Sequence, residues 1–278
     1  MFVISIPYLS LDQLYSSGQV FRWRKIHRGK YLIQDGHTIL KAEQKGSNLM
    51  LSCSQQEFFD KWYYYFTADI DYEAVFDKAI SVGGHVAKSA KLSRGVRVLR
   101  QDPFETIITF MLATATNIPR IKLMVNSLCM ICGEKHKQAM EETGIVTWYE
   151  FPTAEQILAN ESELDVCKMG YRKDNIVQFC MDIEEGWLSL DELQSMQYED
   201  AKKYLMQFRG IGEKVADCIC LYGLGHHQAF PVDVHIEHIL NREYHCDYDT
   251  FAAWYLDDLR GYEGIIQQYL YHNEITVS

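Results

Sequence analysis

The chain of 278 residues is 47% hydrophobic and 13% aromatic, which indicates a packed globular protein and excludes a disordered one. No apolar run approaches the roughly 18 residues of a membrane span, and no basic region precedes the apolar N-terminal residues, so we expect neither a membrane protein nor a secreted one. The net charge of −11 weakly disfavours nucleic acid as a partner, and the eight cysteines do not form a disulfide pattern.

Charge is unevenly distributed along the sequence. Residues 78–101 contain six basic residues and no acid, whereas residues 139–165 contain seven acids and no Lys or Arg. A local basic face can therefore coexist with an acidic remainder, and such a face would suit nucleic acid. Ordinary solvated helix faces of alternating sign would give the same pattern, so both interpretations stay open at this point.

The first third of the chain predicts strands, and the rest predicts helices. The runs KYLIQ, HTILKAE and LMLSCS are separated by turns at Asp35-Gly36 and at residues 45–48, as in an antiparallel meander. From FFDKWYYYF onward the apolar spacing is helical. Predicted helices cover residues 70–80, 103–112, 120–132, 154–160, 173–185, 190–193, 198–208, 213–224, 234–244, 250–259 and 262–271. We therefore predict an α+β protein, with a small antiparallel β domain over residues 1–95 and a large all-α domain over residues 96–278.

Three features have ordinary structural interpretations. Cys129 and Cys132 form a C-x2-C pair, but no second pair follows at the spacing of a zinc site. The histidines between residues 226 and 245 also lack metal-site spacing, so no structural metal is predicted. The triplet Gly133-Glu134-Lys135 follows a predicted helix, and we interpret it as a surface turn.

The stretch FRGIGEKVADCICLYGLGHHQAFPVDVHI contains a glycine hairpin between two predicted helices. Gly210 and Gly212 allow a tight turn, and their N–H groups with the following helix N-terminus suit a phosphate. The pattern is neither a Walker A loop nor a dinucleotide-binding fingerprint. A helix-hairpin-helix that grips a nucleic-acid backbone fits it, and so does a plain turn between helices.

Lys214 lies in the first turn of the second helix, where a positive helix end disfavours its charged form and frees the amine as a nucleophile. An amine nucleophile can form an imine at a carbonyl-like carbon. Asp233 follows at a distance of nineteen residues, as 233 − 214 gives. It could be a carboxylate that faces Lys214 and stabilises a cationic sugar, or simply the N-cap of the next helix.

The run GIGEKVADCICL followed by PVDVH resembles the helix-hairpin-helix-Gly/Pro/Asp superfamily of DNA glycosylases. Within it, the chain is similar to the 8-oxoguanine DNA glycosylase/AP lyase family. Further segments match in family order, namely SGQVFRWR (17–24), GVRVLRQDPFETIITF (95–110), TNIPRI (116–121), FPTAEQI (151–157), MGYRKDNIV (169–177) and YEGIIQQYLY (262–271). The resemblance implies a helix-hairpin-helix glycosylase domain with its hairpin at residues 206–214.

The resemblance also implies roles for single residues. Lys214 would attack C1′ of the damaged nucleotide, with Asp233 as the essential carboxylate beside it. The flipped base would be bound by four residues: Gly18 would accept a hydrogen bond from N7–H, Gln267 would read the Watson–Crick edge, and Cys218 and Tyr271 would sandwich the ring. Tyr271 stands where the family usually has phenylalanine.

The remaining implied roles concern DNA. Arg120 and Arg172 would bind the orphaned cytosine, and Tyr171 would wedge into the base stack. Other implied DNA contacts are Asn117, Gly210, Gly212 and His235. The backbone of Met206, Phe208 and Ile211 would hold a monovalent K⁺ or Na⁺ that bridges to phosphate. Ala115 departs from the family's asparagine run, which predicts looser discrimination of the base opposite the lesion.

The resemblance implies a bifunctional enzyme that excises 8-oxoguanine from duplex DNA through an imine and then cleaves the strand by β-elimination. We expect no iron–sulfur cluster, because Cys246 is the only cysteine after Asp233. The expected partner is double-stranded DNA containing 8-oxoguanine, bound by a monomer in the nucleus of a eukaryote or in the cytoplasm of a prokaryote. Two alternatives stay open, a related glycosylase with another damaged-base specificity and a non-catalytic helix-hairpin-helix DNA-binding protein.

Overall fold

A computed structural model of the chain describes residues 1–140 and 144–277. Its N-terminal part is a five-stranded antiparallel sheet in the order β1-β5-β4-β3-β2. The strands are β1 Phe2–Ser5, β2 Arg24–His27, β3 Lys30–Asp35, β4 Thr38–Lys45 and β5 Asn48–Leu51. Among the described residues, no helix is at once long and apolar enough to cross a membrane.

The predicted meander is confirmed from β3 to β5. Asp35 pairs with Thr38 and Lys45 pairs with Asn48, so each turn has two residues and contains one glycine at positive φ. The burial of β4 alternates over most of its length, which places one face of the strand against the core. The edge strands β1 and β2 are additional, since no separate run predicted them.

Helices account for most of the remaining chain. They are α1 Leu11–Ser16, α2 Gln55–Glu57, α3 Tyr63–Tyr65, α4 Tyr72–Val82, α5 Gly84–Leu92, α6 Pro103–Leu112, α7 Ile118–Cys132, α8 Ala154–Ala159, α9 Arg172–Glu184, α10 Leu190–Ser195, α11 Tyr198–Leu205, α12 Glu213–Tyr222, α13 Val234–Ile239, α14 Tyr248–Tyr255 and α15 Glu263–Val277. The helix α6 has the predicted bounds, because Asp102 caps it and Pro103 occupies its first turn. The helix α5 had not been predicted.

The buried apolar side chains form two clusters. The smaller cluster joins the inner face of the sheet to residues 58–66, and the larger one joins α4 and α5 to the later helices. The two helices α4 and α5 therefore share a core with the helical part, although they precede residue 95. The predicted domain division at residues 95 and 96 stays a prediction.

The C-terminal part is mainly helical rather than all-α. The strands β6 Lys135–Met140 and β7 Gly144–Tyr149 form a separate two-stranded antiparallel sheet. The interpretation of Gly133-Glu134-Lys135 as a surface turn was therefore wrong, since Lys135 begins a strand. A Cβ at Gly133 would lie 2.1 Å from the carbonyl oxygen of Glu150, so a glycine is required where the end of β7 passes the end of α7.

The basic segment over residues 78–101 does not lie entirely on the surface, because Arg97 is buried. Its side chain is buried at 2% exposure and donates hydrogen bonds to the carbonyl groups of Pro7, Phe66, Thr67 and Ile70. The arginine thus ties the N-terminal part to the segment before α6 rather than facing solvent.

The loop that contains Gly18 is fixed to the same segment. Gln19 donates to the Arg97 carbonyl at 2.9 Å and accepts from the Leu99 N–H at 2.8 Å. Arg22 forms a buried ion pair with Glu105 at 2.6 Å, which joins the loop to α6. These bonds place Gly18 beside the helical part of the molecule.

Candidate active site and nucleic-acid surface

The predicted helix-hairpin-helix is present, with α11 and α12 joined by residues 206–212. Gly210 has φ of +90°, and a Cβ there would lie 2.7 Å from Nδ2 of Asn175. Glycine is thus required both by the backbone and by the close contact with α9. Gly212 is the N-cap of α12 and has no side chain that could cap it, so the start of the helix lacks the side-chain cap that an N-cap residue usually supplies.

Lys214 is the second residue of α12 and is half-buried. Its Nζ lies 5.6 Å from the centre of the Phe110 ring, on the aromatic wall contributed by α6. Cys218 follows one turn later on the same face and is within hydrogen-bond reach of Lys214. Burial raises the pKa of the Cys218 thiol to about 11, and the neighbouring Lys214 charge opposes that rise. The thiol is therefore a neutral side chain that packs beside the amine.

The position of Asp233 is compatible with both of the roles that the sequence allowed, an N-cap and a carboxylate near Lys214. As N-cap of α13, its Oδ1 accepts hydrogen bonds from the N–H groups of His235 and Ile236, both at 3.0 Å. Its carboxylate also lines the cavity that Lys214 lines. The N-cap interpretation thus does not exclude the chemical one, because the capping bonds fix the carboxylate where it faces the cavity.

This cavity has a narrow inner part of about 50 Å³. It is lined by Gly18, Phe110, Lys214, Cys218, Tyr222, Pro231, Asp233, Gln267 and Tyr271. The structure therefore brings both candidate catalytic residues together with all four candidate base-binding residues. The inner part is continuous with a wider groove of about 660 Å³, which residues 113–119 and His235 also line.

Gly18 and Tyr271 are in close contact at the rim of the narrow part. Gly18 has φ of +82°, and a Cβ there would lie 2.7 Å from Cε1 of Tyr271. Burial raises the pKa of the Tyr271 hydroxyl above its usual range, and the nearby Asp233 carboxylate raises it further. The His235 ring meets the Tyr271 ring edge-on at 5.7 Å. Only glycine permits this approach of the backbone to the ring.

Gln267 and Gln268 are both buried on α15. Gln267 donates from Nε2 to the Pro231 carbonyl at 3.1 Å, while its Oε1 is buried without a hydrogen-bond partner among the described residues. A buried acceptor without a partner is costly, so this oxygen is ready for a donor on a ligand. Gln268 donates to the Ser17 carbonyl at 2.8 Å and accepts from the Tyr222 hydroxyl at 2.5 Å.

Sequence reasoning missed three of these contributors. Phe110 and Tyr222 stack at 5.4 Å with an angle of 10° between their planes, and they form one wall of the cavity. Gln268 holds the backbone next to Gly18. The two aromatic residues lie in apolar segments with helical spacing, where the sequence does not distinguish a cavity wall from the protein core. Gln268 is the direct sequence neighbour of the predicted Gln267. The sequence therefore offered no separate signal for any of them.

The opposite side of the groove is the loop between α6 and α7. Ala115 is exposed and has φ of +49°, and Asn117 caps α7 by accepting from the Arg120 N–H at 3.0 Å. Arg120 is exposed, and its guanidinium makes one long hydrogen bond of 3.4 Å to the Lys168 carbonyl. Its charged end is therefore exposed, next in sequence to residues 113–119, which line the groove.

Arg172 differs from Arg120 because its guanidinium is buried. It donates to the carbonyl groups of Thr114, Ala115 and Met169 and packs 4.6 Å from the ring of Tyr171. Tyr171 itself is 57% exposed. The structure thus places Arg172 beneath the loop, as its support, and leaves Tyr171 on the surface.

The hairpin carbonyl groups predicted to hold a cation lie in the turn between α11 and α12. The Phe208 carbonyl oxygen accepts a hydrogen bond from the Ile211 N–H at 3.2 Å, which closes the turn. This bond uses one of the two lone pairs of the oxygen. The cation site on Met206, Phe208 and Ile211 stays a prediction. Cys129 and Cys132 are buried core residues.

Comparison with known proteins agrees with this geometry. A family model described as 8-oxoguanine DNA glycosylase, N-terminal domain, matches residues 1–107. The N-glycosylase/DNA lyase of Saccharomyces cerevisiae is 31% identical over 262 residues, which is 85% of this chain and 68% of that protein. An N-glycosylase/DNA lyase of Arabidopsis thaliana is 26% identical, over 82% of this chain and 64% of its own length. The chain thus spans about two thirds of these relatives.

A solved structure is also similar over nearly the full chain. The Clostridium acetobutylicum 8-oxoguanine glycosylase/lyase, bound to double-stranded DNA with cytosine opposite 8-oxoG, has a TM-score of 0.87 and 26% identity. The alignment covers 96% of this chain and 92% of that one. From its sequence, its fold and these similarities, this chain belongs to the 8-oxoguanine DNA glycosylase family, whose relatives are N-glycosylase/DNA lyases.

Proposed function

We propose that this chain excises 8-oxoguanine from duplex DNA and then cleaves the strand at the abasic site. The main support is a single cavity that Lys214, Asp233 and the four candidate base-binding residues line together. A protein that only held a DNA backbone would need the hairpin but not this cavity. The partner is double-stranded DNA, which the protein binds as a monomer in the nucleus of a eukaryote or in the cytoplasm of a prokaryote.

In the first step, the Lys214 amine gives up a proton and attacks C1′ of the damaged nucleotide. The bond between C1′ and N9 breaks, and the base leaves with the electron pair and takes up a proton. Positive charge develops on the sugar in this step, and the Asp233 carboxylate stabilises it. Loss of the amine proton and opening of the sugar ring then give an imine between Lys214 and C1′.

Strand cleavage follows from the imine. Removal of a proton at C2′ drives β-elimination, in which the bond between C3′ and its phosphate oxygen breaks and the phosphate leaves with the electron pair. Water then hydrolyses the imine and frees Lys214. The enzyme thus needs no cofactor for either step.

The cavity supplies the groups for base recognition. The Gly18 carbonyl would accept the N7–H of 8-oxoguanine, a proton that guanine lacks. The Gln267 amide would bond the Watson–Crick edge, for which its Oε1 has no other partner among the described residues. Cys218 and the Tyr271 ring would enclose the base, which reaches the cavity only when it is flipped out of the duplex.

The groove outside the cavity would hold the DNA. The N–H groups at Gly210 and Gly212 with the start of α12 suit one phosphate, and His235 suits another. The exposed Arg120 and Tyr171 would contact the orphaned base and the stack, while Asn117 and the buried Arg172 shape the loop. A K⁺ or Na⁺ on the carbonyls of Met206, Phe208 and Ile211 would add charge at the hairpin. Because phosphate contacts dominate such binding, we expect affinity to fall steeply with salt despite the acidic composition.

Borohydride trapping on a duplex with 8-oxoguanine opposite cytosine tests the mechanism. The wild-type protein should form a covalent adduct with DNA, and Lys214→Gln should form none while still binding the duplex. As a matched control, Lys202→Gln changes a lysine of α11 that pairs with Asp217 of α12 at 3.1 Å. Neither residue lines the cavity, so this variant should leave trapping intact. An adduct of full yield with Lys214→Gln, or none with the wild type, would overturn the proposal.

A further inference from the structure

Outside the cavity, the described residues contain one group of three potential metal ligands, Glu134, His136 and Glu150. The group lies at the base of the β6–β7 hairpin, where Glu134 precedes β6, His136 lies on β6 and Glu150 follows β7. The Glu150 N–H donates to the Glu134 carbonyl at 2.9 Å, which fixes the two ends of the hairpin side by side. None of the three lines the cavity that contains Lys214.

The ligand atoms converge on one point. The Nε2 atom of His136 lies 2.8 Å from Oε1 of Glu150 and 3.8 Å from Oε1 of Glu134, and the ligand atoms of all three lie within 4.8 Å of one another. Although Nε2 is this close to Glu150, it is buried and has no partner in hydrogen-bond geometry. The 2.8 Å separation is that of an ion pair, and a cation bound by the nitrogen and both carboxylates would take the place of the proton that the pair shares.

Two neighbours hold the ligands in place. The His136 ring stacks on the Trp148 ring opposite it in the hairpin, at 4.6 Å with 22° between the planes. His37, in the turn between β3 and β4, contacts the other oxygen of Glu150, Oε2, from its Nδ1 at 2.6 Å. Metal-binding carboxylates usually have such an outer partner, which orients them and raises their affinity for the metal.

We propose that Glu134, His136 and Glu150 bind a zinc ion, with His37 as the positioning residue for Glu150. One imidazole nitrogen and two carboxylate oxygens are a donor set that Zn²⁺ accepts, and water would complete its coordination. The two carboxylates neutralise the charge of the ion, which a single imidazole could not.

The site would join the two parts of the fold. His37 belongs to the N-terminal sheet and the three ligands belong to the β6–β7 hairpin, and the Phe151 N–H already donates to the Gly36 carbonyl at 3.0 Å at the same junction. Zinc would therefore hold the hairpin against the sheet. Its role is structural and independent of excision.

Zinc titration of the full chain tests this proposal. The protein is stripped with chelator, dialysed, and titrated with ZnCl₂ in a calorimeter, and its thermal midpoint is measured with and without zinc. We expect one equivalent of saturable binding and a higher midpoint with zinc. Binding should be lost in His136→Ala and in Glu150→Gln, and it should weaken by about 10- to 100-fold in His37→Ala, in line with an outer partner of a ligand.

His27→Ala is the matched control, because His27 is an exposed histidine of the same sheet, its Nδ1 contacts the Arg28 carbonyl, and it does not belong to the three-residue group. It should bind zinc like the wild type. If His136→Ala fails to fold, Glu150→Gln and the exposed His37→Ala decide the question. Absence of a one-equivalent site in the wild type, or unchanged affinity in Glu150→Gln and His37→Ala, would overturn the proposal, and zinc-independent excision would not affect it.

Discussion

The two sides of the groove outside the cavity are built differently. On one side, the cavity around Lys214 is formed by α12, α15 and the Gly18 loop, and most of its side chains are buried. On the other side, the loop over residues 113–117 is partly exposed and contains a non-glycine residue at positive φ. Its main support is Arg172, which donates to its carbonyl groups from beneath.

This difference predicts that mutations on the two sides affect different properties of the enzyme. A side chain in the cavity has packed neighbours that leave it little freedom, so a change there alters the geometry of the reacting groups directly. A residue on the loop has few packed neighbours, so under the proposed function we expect a change there to alter contacts with DNA and to leave the chemistry intact. We therefore expect mutations on the first side to affect the rate of excision and mutations on the second to affect the choice of opposite base.

The largest effect should come from Asp233→Asn. Asparagine caps a helix as well as aspartate does, so the thermal midpoint should hardly change. Loss of the negative charge should lower the single-turnover rate of excision by about 10²- to 10⁴-fold. Asp247→Asn is the control, because Asp247 caps α14 in the same way, through the Thr250 N–H at 2.9 Å. Equal rates for the two variants would mean that Asp233 is only a cap.

Gly18→Ala should come next. The added methyl group would lie 2.7 Å from Cε1 of Tyr271, so the ring would have to move. A displacement of about 1 Å near a reaction centre can lower the rate about 10²-fold. The control is Gly46→Ala, a position that also has a positive φ, of +61°, but no atom within 4 Å of the new Cβ. Both variants should lose some stability, and only Gly18→Ala should lose activity. If both retain full excision rates, the close contact of Gly18 with Tyr271 does not matter to recognition.

Mutations of Arg172 and Arg120 should have different effects, the first on stability and the second on recognition of the opposite base. Arg172→Met removes the donors to buried carbonyl groups of the loop and should lower the free energy of unfolding by about 1–3 kcal/mol, measured by urea denaturation. Arg120→Met should leave stability unchanged, because within residues 1–140 and 144–277 its guanidinium makes a single long bond, of 3.4 Å. It should instead lower the preference for cytosine over the other three opposite bases by about 10-fold, as loss of one good base contact does.

The reverse pattern would be that Arg120→Met unfolds the protein and Arg172→Met changes only base preference. It would show that Arg120 supports the loop and that Arg172 contacts the opposite base. Single-turnover rates on four duplexes, one for each opposite base, give the measurement. The same four duplexes serve the last prediction.

The smallest effect should come from Ala115→Asn, which restores an amide where the family has one. Discrimination among opposite bases should become several-fold stricter, since one net hydrogen bond is worth about 1 kcal/mol. Asparagine also tolerates the left-handed backbone of this position better than alanine. His245→Asn, at another non-glycine residue with positive φ, controls for that backbone effect and should leave base preference unchanged. Unchanged discrimination in Ala115→Asn would show that this loop does not read the opposite base.

Much of this could be predicted from the sequence because the relevant signals are local. The glycine hairpin, the Asp102-Pro103 helix start and the turns at Gly36 and Gly46 follow from backbone preferences of a few neighbouring residues. The family motifs named Lys214, Asp233, Gly18, Cys218, Gln267 and Tyr271, and the structure places all six on one cavity.

The rest depended on contacts between distant parts of the chain. The hairpin of β6 and β7 escaped prediction, because its strands carry no clear alternation. Arg97 and Arg172 carry charges and could have faced solvent, yet both are buried, and most of their hydrogen bonds go to backbone carbonyl groups. The ligands around His136 are far from His37 in sequence, so only the packing of the hairpin against the sheet brings them together.

The sequence alone thus determined which residue types can perform the chemistry, because a nucleophilic amine, a carboxylate and a glycine hairpin are properties of single residues and short motifs. Tertiary structure decided which of them share a cavity, which arginine is exposed and which is buried, and which acidic and histidine side chains face one another. Those outcomes depend on burial and on the satisfaction of backbone groups by distant side chains, and neither is encoded in any local stretch of the chain.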